Sequence, residues 1–160
     1  MAATRVVARE STAPPGRSPA SVPAFVVDAS VSGAWFLADE ATPYTEAALQ
    51  ATMDLDIWVP ALRPLEICNL LLSAQRRRRI DDAKRRQLVA RAQALRVRVD
   101  REPVPMTMLD DLAARHALSA YDAAYLELAL RRGLALATAD KPLLAAMLAS
   151  GVEQAAFSAP

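Results

Sequence analysis

The sequence predicts an α/β protein of three layers, helices on both sides of a mostly parallel central sheet of four to five strands. From residue 24 onward, short apolar runs rich in β-formers alternate with longer segments of helical periodicity. No Asn-Gly or Asp-Gly pair of the kind that joins antiparallel strands stands between those runs. Composition points the same way. The 160 residues are 53% hydrophobic and 23% charged but only 5% aromatic, and they are rich in Ala and Leu. That mix favours helices and excludes a disordered chain or an all-β sandwich, while the length suits one domain.

The elements follow in order. AFVVD (24–28) is an apolar strand, and SVSGAWFLAD (30–39) with PYTEAALQATM (43–53) reads as two short helices broken around Pro43. DIWVP (56–60) is a second strand. LRPLEICNLLLSAQRRRR (62–79) is helical, with Pro64 suited to the first turn and Leu65, Cys68 and Leu72 expected as the apolar stripe. A new helix opens at Asp81, a residue suited to capping, with Leu88, Ala92 and Leu95 as its stripe. VRVD (97–100) is the third strand. Helices over 105–118 and 119–132 follow, the second closed by Gly133. LALAT (134–138) is the fourth strand, 141–150 the last helix, and VEQAAF (152–157) a possible fifth strand.

The domain is therefore expected over 24–160. Residues 1–23 hold four of the eleven prolines and no long apolar run, and read as a mobile Pro/Ser/Ala-rich arm rather than a secretory signal. No stretch approaches the length of a membrane span, so a cytoplasmic location is expected. A single cysteine, Cys68, and a single histidine, His116, exclude an internal disulfide, a Cys/His zinc site and a two-histidine ribonuclease mechanism. Cys68 is expected as a small core residue and Trp35, Phe36 and Trp58 as core or interface anchors.

A net charge of +1 conceals two opposed fields. Residues 76–101 carry eleven Arg or Lys against three Asp, a local +8, which leaves −7 on the remainder. Within that basic segment Arg76, Arg77, Arg78 and Arg79 end one helix. A solvated helix terminus and a phosphate-binding flank both account for them.

Four acids stand out. Asp28 closes the first strand, and Asp140 follows the fourth with one residue between. In an open parallel sheet, ligands bind beyond the carboxyl ends of the strands where strand order reverses, so neighbouring first and fourth strands would bring these two together. Glu66 and Asp122 begin helices near the same edge. Each of three has a structural alternative: Ser119 and Asp122 fit a capping box, Asp140 fits a helix cap, and Glu66 gains from the helix dipole. Asp28 is different, because a carboxylate ending so apolar a strand is costly to bury without a partner. Four converging carboxylates would need a cation, and with no nitrogen or sulfur cluster available the choice falls on Mg²⁺ or Mn²⁺.

The run VVDASV, then VPALRPLEICNLL, then LSAYDAAYLELALRRGLALATADKPLLAAM resembles the PIN domain family, and in detail the VapC-type toxins of bacterial toxin–antitoxin pairs. The most specific part is D-A-x-Y-L-x-L-A followed by T-x-D, and the likeness covers about residues 24 to 157. The resemblance implies a PIN-like three-layer α/β/α fold and a Mg²⁺- or Mn²⁺-dependent endoribonuclease that hydrolyses RNA phosphodiesters with metal-activated water. The family's acidic residues fall on Asp28, Glu66, Asp122 and Asp140, as catalytic groups and metal ligands. Thr138, Asn69 and Ser30 fall at supporting positions. The implied partners are an RNA substrate, a cognate antitoxin and a second copy in a homodimer or toxin–antitoxin assembly. The alternatives are a second enzyme reading, an RNA-processing PIN nuclease without an antitoxin, and, from a different class, a non-catalytic PIN-like module that binds RNA or protein. A dehalogenase-type phosphatase also uses a strand-end Asp, but Asp28-Ala29-Ser30 lacks the second Asp that pattern requires.

Overall fold

A computed structural model describes residues 23–157. Four strands form one all-parallel sheet: β1 (Ala24–Val27), β2 (Asp56–Pro60), β3 (Val97–Asp100) and β4 (Ala135–Ala137), in the spatial order β3-β2-β1-β4. Seven α-helices connect and cover them: α1 (Ala29–Ala34), α2 (Pro43–Ala51), α3 (Arg63–Arg76), α4 (Asp82–Ala94), α5 (Met106–His116), α6 (Ala120–Arg132) and α7 (Lys141–Ala149). A 3₁₀ turn over Ala38–Glu40 separates the first two helices. The Pro/Ser/Ala-rich arm lies, except for Pro23, outside the described residues.

Alternation along the strands divides the core into two layers. Phe25, Val27, Ile57, Val59 and Ala137 face a cluster with Val31, Trp35, Phe36, Ile67, Leu71 and Leu88 from α1, α3, α4 and the turn after α1. Val26 and Leu136 face the other way, against Tyr125, Leu126, Leu128, Leu143 and Met147 of α6 and α7. The arrangement is the expected α/β/α sandwich. The run 152–157 pairs with the sheet at one parallel bridge, Gln154 to Leu136, with the Phe157 ring against Phe25, so the fifth strand reduces to a single pairing.

Helix starts follow local chemistry. Thr42 and Thr45 bond reciprocally at the start of α2, with Pro43 in its first turn, and Asp81 accepts from the Lys84 amide at 2.7 Å. Gly133 ends α6 at φ 60°, while Arg78, two residues past the end of α3, stands at φ 58°, a left-handed position filled by a residue with a Cβ.

Two expectations for α3 are corrected. Leu65, Cys68 and Leu72 face solvent, and the buried face is Ile67, Leu71 and Ala74 together with Arg63. The helix carries apolar residues on several sides, so its periodicity does not select the inward face. Trp35 and Phe36 are buried as expected, with the Trp35 indole N–H donating to the Thr45 carbonyl. Trp58 is half-buried, its ring covered by the Arg132 guanidinium 3.6 Å from the centroid.

Candidate active site

Chain direction turns at one place in the sheet. β2 and β3 extend to one side of β1, whereas β4 lies on its other side, so the crevice beyond the carboxyl ends of β1 and β4 is the topological switch point. Asp28 stands there, its own amide donating to the Ala137 carbonyl at 3.1 Å, one position beyond the Val27–Ala137 pair that ends the β1–β4 ladder.

The Asp28 carboxylate is 3% exposed and held by three donors. Ser30 Oγ donates to its two oxygens at 2.7 and 2.9 Å, the Val31 amide donates to Oδ1 at 3.0 Å, and Thr138 Oγ1 donates to Oδ2 at 2.6 Å. The amide bond makes Asp28 the N-cap of α1. Both hydroxyls also accept: Ser30 from the Ala139 amide at 2.9 Å and Thr138 from the Asp140 amide at 3.0 Å. A continuous hydrogen-bonded chain therefore ties Asp28 to the loop carrying Asp140. Asp140 in turn caps α7, accepting from the Leu143 amide at 2.8 Å.

Glu66 and Asp122 approach from two helices. Glu66, in the first turn of α3, receives the Tyr125 hydroxyl on Oε2 at 2.5 Å. Asp122, in the first turn of α6, accepts the Ser119 hydroxyl at 2.6 Å while its amide donates back to the same oxygen at 3.1 Å. Close packing of α1 on α3 sets Asp28 near Glu66. At Gly33 an added Cβ would stand 2.9 Å from Leu70 Cδ2.

The charges interact. Burial raises the Asp28 carboxyl above its ordinary value, the bonds from Thr138, Val31 and Ser30 oppose that, and Asp122 adds to the rise. Burial likewise raises Glu66, against the Tyr125 bond and Arg63, with Asp122 and Asp28 contributing repulsion. Three acids thus lie within electrostatic reach of one another, two of them poorly hydrated. Burial and the bond to Glu66 hold the Tyr125 phenol far above its usual value, so it remains a donor.

Among the described residues, no three Asp, Glu, His or Cys side chains stand closely enough to form a ready-made metal cage. The donor set nonetheless fits a hard divalent cation: it is oxygen-only and its charges repel. Magnesium usually keeps several waters and needs only one or two direct carboxylates.

The remaining expected positions separate. Asn69 is exposed, with no side-chain hydrogen bond among the described residues. Arg76–Arg79 lie at the far end of α3, about 15 Å along the helix from Glu66. Arg79 is engaged with Asp39 at 2.6 Å and Glu40 at 2.8 Å. Two residues beside the acids escape sequence reasoning. Arg63 is 3% exposed, donates through Nε to Ser32 Oγ at 3.3 Å and leaves one terminal nitrogen without a partner among the described residues. Nothing in the sequence marks it. Tyr125 is buried, and its spacing of three residues from Asp122, on the same helix face, was the available signal.

The sequence matches the family model for the PIN domain over residues 25–146. The chain belongs to the PIN domain family. PIN domains are typically nucleases and usually use a divalent metal, in keeping with the acid cluster at the switch point. Among solved structures, the chain is similar to the crystal structure of PAE2754 from Pyrobaculum aerophilum, at a TM-score of 0.59 and 26% identity over 80% of this chain and 87% of that one. No curated protein matches the sequence. Among the described residues of this PIN domain, no helix is long and apolar enough to cross a membrane.

Proposed function

We propose that this PIN domain is a Mg²⁺- or Mn²⁺-dependent endoribonuclease acting as the toxin of a toxin–antitoxin pair. The observation that carries the nuclease reading is the buried Asp28 carboxylate at the switch point, held by three donors while Glu66 and Asp122 repel it. Asp28 also caps α1, but that role alone does not call for two further acids within electrostatic reach of it. The toxin role rests on the resemblance of the D-A-x-Y-L-x-L-A and T-x-D segments to VapC-type proteins.

In this reading Asp28 and Asp140 would hold the cation directly, and Glu66 and Asp122 would hold its waters or a second ion. When bound, the cation neutralises the carboxylates, lowers the pKa of an attacking water and stabilises charge on the phosphate. Ser30 and Thr138 fix the Asp28 rotamer, so the carboxylate meets the cation without reorganising. Glu66 or Asp122 accepts the proton of the attacking water. Hydrolysis by water leaves a 5′-phosphate and a 3′-hydroxyl. Arg76, Arg77 and Arg78 are candidates for contacts to RNA phosphates beyond the cut; Arg79 would first have to leave Asp39 and Glu40.

The test is incubation of the purified chain with RNA, with Mn²⁺ or EDTA, followed by analysis of product ends. Cleavage with Mn²⁺ alone, yielding 5′-phosphates, supports the nuclease; persistence of cleavage in EDTA refutes it. Growth arrest on expression, relieved by a small protein encoded next to the gene, supports the toxin role. Normal growth with active enzyme refutes that role and leaves an RNA-processing nuclease.

A further inference from the structure

Glu66 has a flexible side chain in a half-exposed first helical turn, yet a metal-dependent site needs its carboxylate at a fixed place. We propose that Tyr125 is a positioning residue for Glu66, pinning one carboxylate oxygen so that the flexible side chain is held at one place beside Asp28 and Asp122. This deepens, and rests on, the nuclease reading above.

The geometry is specific. Tyr125 is 1% exposed, and its ring lies in the apolar cluster with Val26, Leu126, Leu136 and Leu143. A ring packed in a dense core cannot swing, so its hydroxyl is a fixed point beside Glu66. That hydroxyl donates to Glu66 Oε2, and Oε1 makes no hydrogen bond among the described residues. Glu66 is therefore anchored through one oxygen, while the other carries no donor of the described residues. Tyr125 also shares its helix with Asp122, three residues earlier, so α6 both supplies one carboxylate and sets the position of another.

Arg63 shows what the phenol prevents. It lies three residues before Glu66 on α3, a spacing at which acid and base pair readily, and one of its terminal nitrogens has no partner among the described residues. Glu66 nonetheless bonds Tyr125. Without the hydroxyl, the carboxylate is free to turn towards the guanidinium and away from Asp28 and Asp122.

The experiment compares wild type, Tyr125→Phe, Glu66→Gln and the double variant, by calorimetric titration of the metal-free protein with Mn²⁺ and by steady-state cleavage of single-stranded RNA. Tyr125→Phe is expected to weaken Mn²⁺ binding by about tenfold and to lower kcat by roughly 10- to 100-fold, with KM little changed. The double variant is expected to lose no more than Glu66→Gln alone, since the phenol acts through that carboxylate. Mn²⁺ affinity and kcat both within about twofold of wild type in Tyr125→Phe, or multiplied losses in the double variant, would overturn the proposal. A Tyr125→Phe protein that fails to fold would overturn it too, by assigning the hydroxyl to stability. A wild type that neither binds Mn²⁺ nor cleaves RNA would overturn the nuclease reading itself.

Discussion

Replacing Thr138 by Val removes one hydroxyl and keeps the side-chain shape, and the structure indicates how much that hydroxyl is worth. Thr138 is 1% exposed; its Oγ1 donates to Asp28 Oδ2 at 2.6 Å and accepts the Asp140 amide at 3.0 Å. Loss of a hydrogen bond to a buried carboxylate costs about 1.5–3 kcal/mol, and a partly buried amide left without its acceptor adds up to roughly 1 kcal/mol. The expected destabilisation is about 2–4 kcal/mol, or a Tm lower by roughly 10 °C for a chain of this length. Its pH dependence has a definite sign. In the folded state, burial raises the Asp28 carboxyl and the Thr138 bond lowers it. Removing the bond raises the folded value further. The folded protein then holds the Asp28 proton more tightly than the unfolded chain does, and the added penalty is absent at low pH and complete above the folded value. Urea unfolding of wild type and Thr138→Val should therefore differ more near pH 8 than near about pH 4. A difference below about 0.5 kcal/mol at neutral pH, or one that grows on acidification, would refute the reasoning.

Other perturbations test other parts of the structure. Arg131 bonds to Glu127 at 2.6 Å and to Asp100, both acids almost fully buried, so Arg131→Ala should cost about 2–4 kcal/mol in urea unfolding. Burial would raise Asp100, but Arg131, the Glu102 amide and Arg132 outweigh it and lower the carboxyl. That stabilisation is present above the ordinary value of 3.8 and is lost as pH falls through the lower folded value. Arg78→Gly should raise stability by about 1 kcal/mol, since a left-handed backbone at φ 58° strains any residue with a Cβ; calorimetry would show the higher Tm. Replacing Arg76, Arg77 and Arg78 by Gln should flatten the salt dependence of RNA affinity by roughly two units of logarithmic slope if these arginines meet phosphates. An unchanged slope would place the RNA elsewhere.

Features governed by short-range chemistry were readable from sequence. Asp28 stood out because an acid at the end of so apolar a strand needs a reason to be there, and Asp81, Gly133 and Asp140 announced helix ends through their own bonding preferences. The parallel sheet followed from alternation of elements, and the adjacency of β1 and β4 lets Thr138 link Asp28 to the Asp140 backbone. What escaped depended on which helix face turns inward. Apolar residues surround α3, so Leu65 and Cys68 looked like core while Arg63, a charge, occupies it. Asp100 is buried for the same kind of reason: its partners Arg131 and Arg132 reach it only after α6 packs across the sheet, whereas Glu127 and Arg131, four residues apart on α6, pair locally. Long-range pairing of charges leaves no periodic mark on the chain.

The central claim is that Asp28 anchors a divalent cation used to cut RNA. Wild type and Asp28→Asn, matched for folding by circular dichroism, should be compared on one labelled single-stranded RNA across a Mn²⁺ titration. Asn preserves the helix-capping oxygen and removes the negative charge, so the variant should remain folded, bind Mn²⁺ far more weakly and show no metal-dependent cleavage. Equal cleavage by the two proteins would contradict the account.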